Sequence, residues 1–216
     1  MRFVTFEQGG AAQAGVVTDG QVVGLGGDLI SAISGGTAAI ERARELAAVS
    51  TGVALGDVRL LAPIPRPPKI ICVGLNYRDH AIESKMEIPK VPTLFSKYPN
   101  VVIGTGAPIV LPKLSGKPDY EAELAVVIGK GGRHIPAGNW REHVFGYTNL
   151  NDVSARDYQL ATTQWMIGKT FDSFCPMGPW ITTADEIDDP HDLDIQIAIN
   201  GEVLQSSNTR HLIFRI

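Results

Sequence analysis

Acidic side chains are crowded into a short segment in the middle of the chain. Asp119, Glu121 and Glu123 occupy alternate positions in KPDYEAELAVVIGK, just before an apolar run. Successive side chains of a β-strand point to opposite faces, so the pattern predicts three carboxylates on one face. Two carboxylates about 6 Å apart repel each other by a few kcal/mol at an effective dielectric of about 20. Water, basic side chains or a divalent cation would relieve that repulsion, and oxygen-only ligands suit Mg²⁺, Mn²⁺ or Ca²⁺.

A further carboxylate, Asp152, follows a strand-like stretch in YTNLNDVSARD and stands just before a predicted helix. It could cap that helix, or it could be a third metal ligand. The helix would place Arg156 and Gln159 on one face, one turn apart. An arginine and an amide beside a metal-binding acid suit an anionic, oxygen-rich substrate, but a solvated helix face would carry the same residue types.

Two other segments contain residues that could take part in acid–base chemistry. In GLNYRDHAIESK, His80 and Glu83 would meet on one helical turn, where the carboxylate could orient the imidazole as a general base for water. A surface contact is the alternative for that pair. Lys169 lies in the Gly- and Pro-rich segment WMIGKTFDSFCPMGP, where it could reach out to water or stabilise an enolate or carboxylate.

Composition narrows the class of protein. The chain has 216 residues, 44% of them hydrophobic and 19% charged, with a formal net charge of −4 and no Lys/Arg-rich block. This balance argues against nucleic acid or an anionic membrane as the main partner. No apolar run approaches the roughly 18 residues that a membrane span needs. Cys72 and Cys175 are the only cysteines and favour a reduced, cytoplasmic protein in which both are small core residues.

The sequence predicts a β-rich α+β protein made of two parts. Residues 1–62 predict a small N-terminal α/β domain with a hairpin at Asp19-Gly20 and a helix over 37–49. Four prolines between residues 63 and 68 predict an extended linker. The larger part, 63–216, predicts a catalytic domain with short helices near 76–85, 137–144 and 154–162. A second hairpin is expected at Asn200-Gly201.

Five segments together resemble the fumarylacetoacetate hydrolase family: VGLNYRDHAIE, PTLFSKYPNVVIGTGAPIVLP, DYEAELAVVIGK, GYTNLNDVSARDYQ and GKTFDSFCPMGPW. The resemblance covers roughly residue 63 to the end of the chain, and the part before it resembles the small leading domain of many bacterial members. It implies a mixed β-roll catalytic domain, a homodimer, and a Mg²⁺ or Mn²⁺ ion.

The resemblance also assigns roles to residues. It implies metal ligation by Glu121, Glu123 and Asp152, with Asp119 beside the ligands rather than among them. His80 and Glu83 would form a catalytic pair on a lid over the substrate. Arg156, Gln159 and Lys169 would contact the substrate, and Lys169 would also stabilise negative charge during catalysis.

The implied reaction is metal-dependent cleavage of the C–C bond of an acylpyruvate or fumarylpyruvate-type 2,4-dioxo acid, with water activated by His80 and release of an enolate. Isomerisation, hydration or decarboxylation of 2-oxo dicarboxylic acids in aromatic catabolism is the alternative. A non-catalytic metal-binding module is the alternative of another class.

Family members usually continue beyond the segment that follows Asn200-Gly201, whereas this sequence stops at SSNTRHLIFRI. The expectation is therefore that the sheet is left open and that the 216-residue chain alone is unstable or inactive without a partner. Metal binding is expected to survive better than substrate binding, because all three implied ligands are present.

Overall fold

The structure, a computed structural model, describes residues 1–216. Its strands are β1 (Arg2–Gln8), β2 (Ala11–Thr18), β3 (Gln21–Gly24), β4 (Val53–Ala54), β5 (Arg59–Leu60), β6 (Ile70–Gly74), β7 (Thr93–Lys97), β8 (Val102–Ile103), β9 (Pro118–Asp119), β10 (Ala122–Ile128), β11 (Val144–Asn151), β12 (Ser154–Ala155), β13 (Cys175–Thr183), β14 (Asp194–Ile199) and β15 (Glu202–Asn208). Its α-helices are α1 (Leu29–Ser34), α2 (Gly36–Val49), α3 (Arg78–Glu83), α4 (Arg156–Gln159) and α5 (Met166–Lys169). Short 3₁₀ helices occupy Leu55–Asp57, Pro99–Val101, Ala137–His143, Ala184–Glu186 and Thr209–His211.

One nine-stranded sheet organises the molecule. Its main path runs β10-β11-β13-β1-β2-β3-β4, while β5 pairs with β1 and β8 with β13. Strands from the first 62 residues therefore share a sheet with strands of the remaining chain, joined where Arg2 pairs with Thr182 and Phe3 with Ile181. Three two-stranded sheets, β6–β7, β9–β12 and β14–β15, complete the fold. This confirms the β-rich α+β class; the division of the chain at residues 62 and 63 stays a prediction.

The main core lies under the first half of this sheet and includes residues from both parts of the chain. Phe3 of β1 is buried against residues of α1 and α2, whereas Val4 and Phe6 are buried with Val22 in a separate cluster. Phe3 packs edge to face on Phe145, with ring centroids 5.2 Å apart, and Ile181 lies in the same cluster. The proline-rich segment also packs here, since Ile64 is buried and Thr5 Oγ1 donates to Pro63 O at 2.6 Å. The segment has neither helix nor strand, as its prolines predicted, but it is packed against the core.

The predicted turns form, and two of the predicted helices differ from what the structure shows. Asp19 and Gly20 both have positive φ, as do Asn200 and Gly201, and each pair closes a predicted hairpin. The helix expected over 154–162 is only the four residues of α4, because Ser154 pairs with Asp119 between β12 and β9. The segment expected over 137–144 is helical, but of the 3₁₀ type.

The acidic segment does not form one continuous strand. Asp119 belongs to β9, whereas Glu123 belongs to β10, and Tyr120 and Glu121 connect the two. β10 is the last strand of the large sheet, so one of its edges is not paired with another strand of that sheet. No helix of the structure has the length and apolar character needed to cross a membrane.

Candidate metal and substrate site

Glu121, Glu123 and Asp152, called the acid cluster below, come together at one end of β10. Each offers a carboxylate oxygen, and the three oxygens lie within 4.8 Å of one another. The Asp152 side chain is completely buried, whereas Glu121 and Glu123 are half-buried. Three carboxylates at this separation match an oxygen-ligated divalent cation in number and chemistry.

Pairing between β10 and β11 brings these acids together. Ala122 lies opposite Asn151, so the end of β11 delivers Asp152 beside Glu121. The Asp152 N–H donates to Glu121 O at 2.9 Å, and the Glu121 N–H donates to Asn151 Oδ1 at 3.0 Å. Asp152 does not cap α4, whose N-cap residue is Ala155. The capping alternative for Asp152 is therefore not what the structure shows.

Two buried lysines hold the Asp152 carboxylate from both sides. Lys97 Nζ lies 2.5 Å from Asp152 Oδ1 and also donates to Val153 O at 3.1 Å. Lys169 Nζ lies 2.8 Å from Asp152 Oδ2 and 2.6 Å from Glu121 Oε2. Burial lowers the pKa of Lys169, but the Glu121 and Asp152 carboxylates outweigh it and the net shift is upward. Lys169 is thus a buried ammonium in contact with the acid cluster.

Arg156 contacts the other side of Glu121. Its Nε donates to Asp119 Oδ2 at 2.8 Å, and its Nη1 lies 2.6 Å from Glu121 Oε1 and donates to Gln159 Oε1 at 2.9 Å. Burial lowers the pKa of Arg156, but Glu121 and Asp119 raise it by more, so it remains charged. Asp119 therefore orients Arg156 and stands beside the acid cluster, as the family resemblance implied.

Glu123 is the carboxylate that these cations leave unpaired. It makes no ion pair, while Lys97, Lys169 and Arg156 all contact Asp119, Glu121 or Asp152. Burial, followed by the Asp152 and Glu121 carboxylates, raises the pKa of Glu123 to about 8. A nearby positive charge would favour the ionised form of this acid, as a bound cation would. The donor set and its electrostatics both fit a divalent metal.

The position of Lys169 depends on close packing between α4 and α5. A Cβ added at Gly168 would lie 2.4 Å from Gln159 N and 2.6 Å from Ala155 O, so only glycine allows these helices to approach. Lys169 follows at the end of α5, with its Nζ 5.2 Å from the centre of the Phe95 ring. The Gly- and Pro-rich segment thus begins with a short helix that places Lys169 against the acid cluster.

A single cavity of about 790 Å³ brings most of the candidate residues together. Its lining includes His80, Glu83, Glu121, Glu123, Arg156, Gln159 and Lys169. Asp152 lies beneath it. His80 and Glu83 are on the outer wall, with 47% and 85% of their side chains exposed, and 4.0 Å separates His80 Nδ1 from Glu83 Oε2. That distance is an ion-pair contact but not a hydrogen bond. The catalytic roles of both remain predictions.

Several residues around the site were not identified from the sequence. Lys97 is the clearest case: it ends strand β7, TLFSK, and is buried, but no local sequence pattern indicates this. Tyr77 also lines the cavity, where burial and then Glu123 raise its pKa to about 12. Gln205 contacts Ala122, between two members of the acid cluster. No local sequence pattern indicates that last contact, because it joins residues 83 positions apart.

Comparisons of sequence identify relatives of both parts of the chain. The profile described as fumarylacetoacetate (FAA) hydrolase C-terminal matches residues 69–216, and the one described as Rv2993c-like, N-terminal matches residues 1–63. The protein named oxaloacetate tautomerase Fahd2a, mitochondrial, of Rattus norvegicus is 48% identical over 182 residues. That alignment covers 84% of this chain and 58% of the relative, so the chain spans little more than half of that protein's length.

Solved structures show the same fold. Maleylpyruvate hydrolase from Sphingobium sp. SYK-6, crystallised with manganese(II) and pyruvate, is 30% identical with a TM-score of 0.84. The superposition covers 99% of this chain and 78% of that one. The 2-hydroxyhepta-2,4-diene-1,7-dioate isomerase from Mycobacterium marinum is also 30% identical, with a TM-score of 0.76 and coverage of 99% and 77%.

Proposed function

The chain belongs to the fumarylacetoacetate hydrolase family, and from this premise we propose that it carries the site of a divalent-metal-dependent enzyme. The proposed reaction is proton transfer at the carbon next to the keto group of a small 2-oxo acid. Keto–enol tautomerisation of oxaloacetate is the first candidate. It is supported by the name of the relative that shares 48% identity with this chain.

One observation carries the proposal: two members of the acid cluster, the cations Lys169 and Arg156, and His80 line one cavity, and the buried Asp152 completes the cluster. Mg²⁺ or Mn²⁺ bound by Glu121, Glu123 and Asp152 would act as a Lewis acid on the keto oxygen of the substrate. Arg156 offers a guanidinium whose Nη2 has no protein partner, which suits a substrate carboxylate. The Gln159 carbonyl accepts from Arg156, which leaves its NH₂ group as a donor toward the cavity.

Proton movement is assigned to His80. An imidazole on the cavity wall can take a proton from the carbon next to the carbonyl and return it to the carbonyl oxygen, which yields the enol, and Glu83 Oε2 lies 4.0 Å from His80 Nδ1. Lys169 supplies fixed positive charge where the substrate gains negative charge. Oxaloacetate carries two carboxylates, so its second one needs a cation of its own, and Arg156 provides it.

Hydrolytic cleavage of acylpyruvate-type substrates is the second candidate. Its support is the maleylpyruvate hydrolase crystallised with manganese(II) and pyruvate, whose fold matches nearly the whole chain. The residues are compatible with this chemistry too, because the same histidine could activate water in place of a carbon acid. The two candidates differ in product: tautomerisation of oxaloacetate releases no pyruvate, whereas cleavage of an acylpyruvate does.

The test is a substrate panel with and without metal. Decay of the enol form of oxaloacetate is followed by ultraviolet absorbance with Mg²⁺, with Mn²⁺, and with excess chelator, against a protein-free blank. Maleylpyruvate and acylpyruvates are assayed in parallel for pyruvate release. Metal-dependent acceleration of enol decay without pyruvate supports the first candidate. Metal-dependent pyruvate release from an acylpyruvate supports the second and overturns the first. Mn²⁺ binding without turnover of any substrate would leave only the metal-binding module.

Variants assign the activity to this cavity. His80→Asn is expected to slow turnover by a factor of about 10² to 10⁴, the usual contribution of a general base. His134→Asn is the matched control, since His134 is exposed and lies outside the cavity. Glu123→Gln is expected to abolish metal-dependent turnover. Equal rates for the His80 and His134 variants would remove His80 from the mechanism.

We further propose that the protein works as a cytoplasmic homodimer. Cys72 and Cys175 are both free and buried, as suits a reducing compartment, and burial raises the pKa of the Cys175 thiol to about 12. Ile71 and Leu94 are 66% and 63% exposed on adjacent strands β6 and β7, an apolar pair that a second copy could cover. Light scattering of the protein and of Leu94→Glu tests the dimer: a monomeric wild type contradicts it.

A further inference from the structure

The side chain of Gln205 binds the backbone of Ala122 with both ends of its amide. Gln205 Oε1 accepts from the Ala122 N–H at 2.8 Å, and Gln205 Nε2 donates to Ala122 O at 3.0 Å. These are the two hydrogen bonds that a neighbouring strand would make with that residue. Ala122 starts β10, whose outer edge is not paired with another strand of the large sheet. Gln205 therefore takes the place of a strand at one position.

Ala122 lies between Glu121 and Glu123, which gives these bonds a specific effect on the acid cluster. The Ala122 N–H belongs to the peptide plane shared with Glu121, and the Ala122 carbonyl belongs to the plane shared with Glu123. Because a peptide unit is rigid and planar, fixing both planes fixes the backbone dihedral angles of Ala122. The Cα atoms of Glu121 and Glu123, which lie in these two planes, are then fixed relative to each other, and pairing with β11 orients the residues themselves.

The remaining contacts hold this segment only from the opposite side. The Glu121 N–H and carbonyl bind Asn151 Oδ1 and the Asp152 N–H, both at the end of β11. Gln205 comes from β15, on the unpaired edge of β10. Without it, the outer edge of Ala122 would lose both partners that hold it in register.

The hairpin that carries Gln205 is itself anchored. Ser207, two residues further on and on the same face of β15, donates a hydrogen bond to Asp79 Oδ2 at the start of α3. Tyr120 Oη also donates to Leu204 O at 3.4 Å. The position of Gln205 is thus set by contacts on either side of it, and its amide cannot move freely away from Ala122.

We propose that Gln205 is a positioning residue for the metal site: it sets the separation of the Glu121 and Glu123 carboxylates and thereby the affinity for the divalent cation. This rests on the proposed function, because it assumes that the acid cluster binds that cation. Gln205 acts through Ala122 and does not touch the cation. Residues that orient metal ligands in this way commonly change affinity by 10- to 100-fold when replaced.

The test compares Gln205→Met with Gln196→Met in the full chain. Methionine keeps the length of glutamine but makes neither hydrogen bond. Gln196 is the matched control, since it lies on the partner strand β14 of the same hairpin and its amide binds only Ser206 Oγ. Mn²⁺ affinity is measured by calorimetry, the electron paramagnetic resonance spectrum of bound Mn²⁺ is recorded, and urea unfolding gives the stability of each variant.

We expect Gln205→Met to weaken Mn²⁺ binding by about 10- to 100-fold and to change the spectrum of the bound ion, with Gln196→Met like the wild type. A general structural role would lower stability in both hairpin variants without changing the spectrum. Equal affinities and spectra for all three proteins would overturn the inference. Absence of Mn²⁺ binding by the wild type would instead overturn the proposed function. If Gln205→Met does not fold, Gln205→Asn replaces it, and an unchanged affinity in that variant is equally contrary to the inference.

Discussion

Lys169 holds the place where a cation would enter the acid cluster, and its removal should therefore strengthen metal binding. Its ammonium lies 2.6 Å from Glu121 Oε2 and 2.8 Å from Asp152 Oδ2. A divalent cation that binds these oxygens on the side occupied by the ammonium must displace at least one of these contacts. In Lys169→Met no displacement is needed, so we expect tighter binding even though the variant loses catalysis.

The size of the effect follows from the contact that is lost. A hydrogen bond between charged groups contributes about 1.5 to 3 kcal/mol, which corresponds to roughly a 10- to 150-fold change in Kd. The Lys169→Met protein should bind Mn²⁺ more tightly than the wild type by a factor in that range. The same change should lower the stability of the metal-free protein, because Glu121 and Asp152 each lose a partner.

Calorimetric titration of Mn²⁺ into metal-free protein measures this change directly, and thermal unfolding with and without Mn²⁺ provides an independent reading. Lys130→Met controls for the loss of one positive charge, since Lys130 is exposed and 3.8 Å from Glu142, away from the cavity. Weaker binding in Lys169→Met would mean that Lys169 supports the ligands instead of competing with the cation, and would refute the reasoning. An equal increase in Mn²⁺ affinity in Lys169→Met and Lys130→Met would mean that the effect comes from the loss of one positive charge alone.

Three other changes give clear expectations. Lys97→Met should lower the free energy of unfolding, measured by urea titration, by about 3 kcal/mol, because it leaves a buried Asp152 oxygen unpaired. A decrease of less than about 1 kcal/mol would contradict this expectation. Gly168→Ala should lower the free energy of unfolding by about 1 to 3 kcal/mol and reduce turnover, because the added Cβ would force α4 away from Lys169. Wild-type stability and turnover in this variant would show that the two helices can separate freely. The pKa of about 8 for Glu123 means that this acid is mostly protonated in the metal-free protein at pH 7, so Mn²⁺ binding should release a proton there and its affinity should rise with pH until about pH 8. Calorimetry in buffers of different ionisation enthalpy counts that proton, and a pH-independent affinity between pH 6 and pH 8 would be inconsistent with it.

Local patterns in the sequence were enough to single out the three carboxylates and the cations Arg156 and Lys169, but not the third cation, Lys97. Glu121 and Glu123 stand out because two acids precede an apolar run, and Asp152 because it follows a strand. Lys97 does not stand out, since nothing in TLFSKYPN shows that its side chain turns inward. Its partner Asp152 is 55 residues away, and only the packing of β7 against the end of β11 brings them together.

The short helices and the strand break show a second limit of sequence patterns. Side-chain alternation predicted Asp119, Glu121 and Glu123 on one continuous strand, but Asp119 pairs with Ser154 on a separate two-stranded sheet. The same pairing delays the start of α4 to Arg156. Both differences arise from a contact between distant segments that propensity and periodicity cannot register. The hairpins at Asp19 and Asn200 were predictable because their turn chemistry is local.

The pairing of β1 with β13 has a consequence for how the chain acquires its structure during synthesis. Arg2 and Thr182 are partners, so the central pair of the large sheet joins residues 180 positions apart. As the chain emerges from the ribosome, β1 and β2 can form a hairpin early. The other edge of β1 has no β13 to pair with until that strand has been synthesised. Contacts between residues so far apart in sequence make folding slow. Until they form, the incomplete sheet exposes apolar surface and unpaired strand edges through which chains can aggregate. A nascent chain of this protein is therefore a candidate substrate for chaperones until β13 has been synthesised.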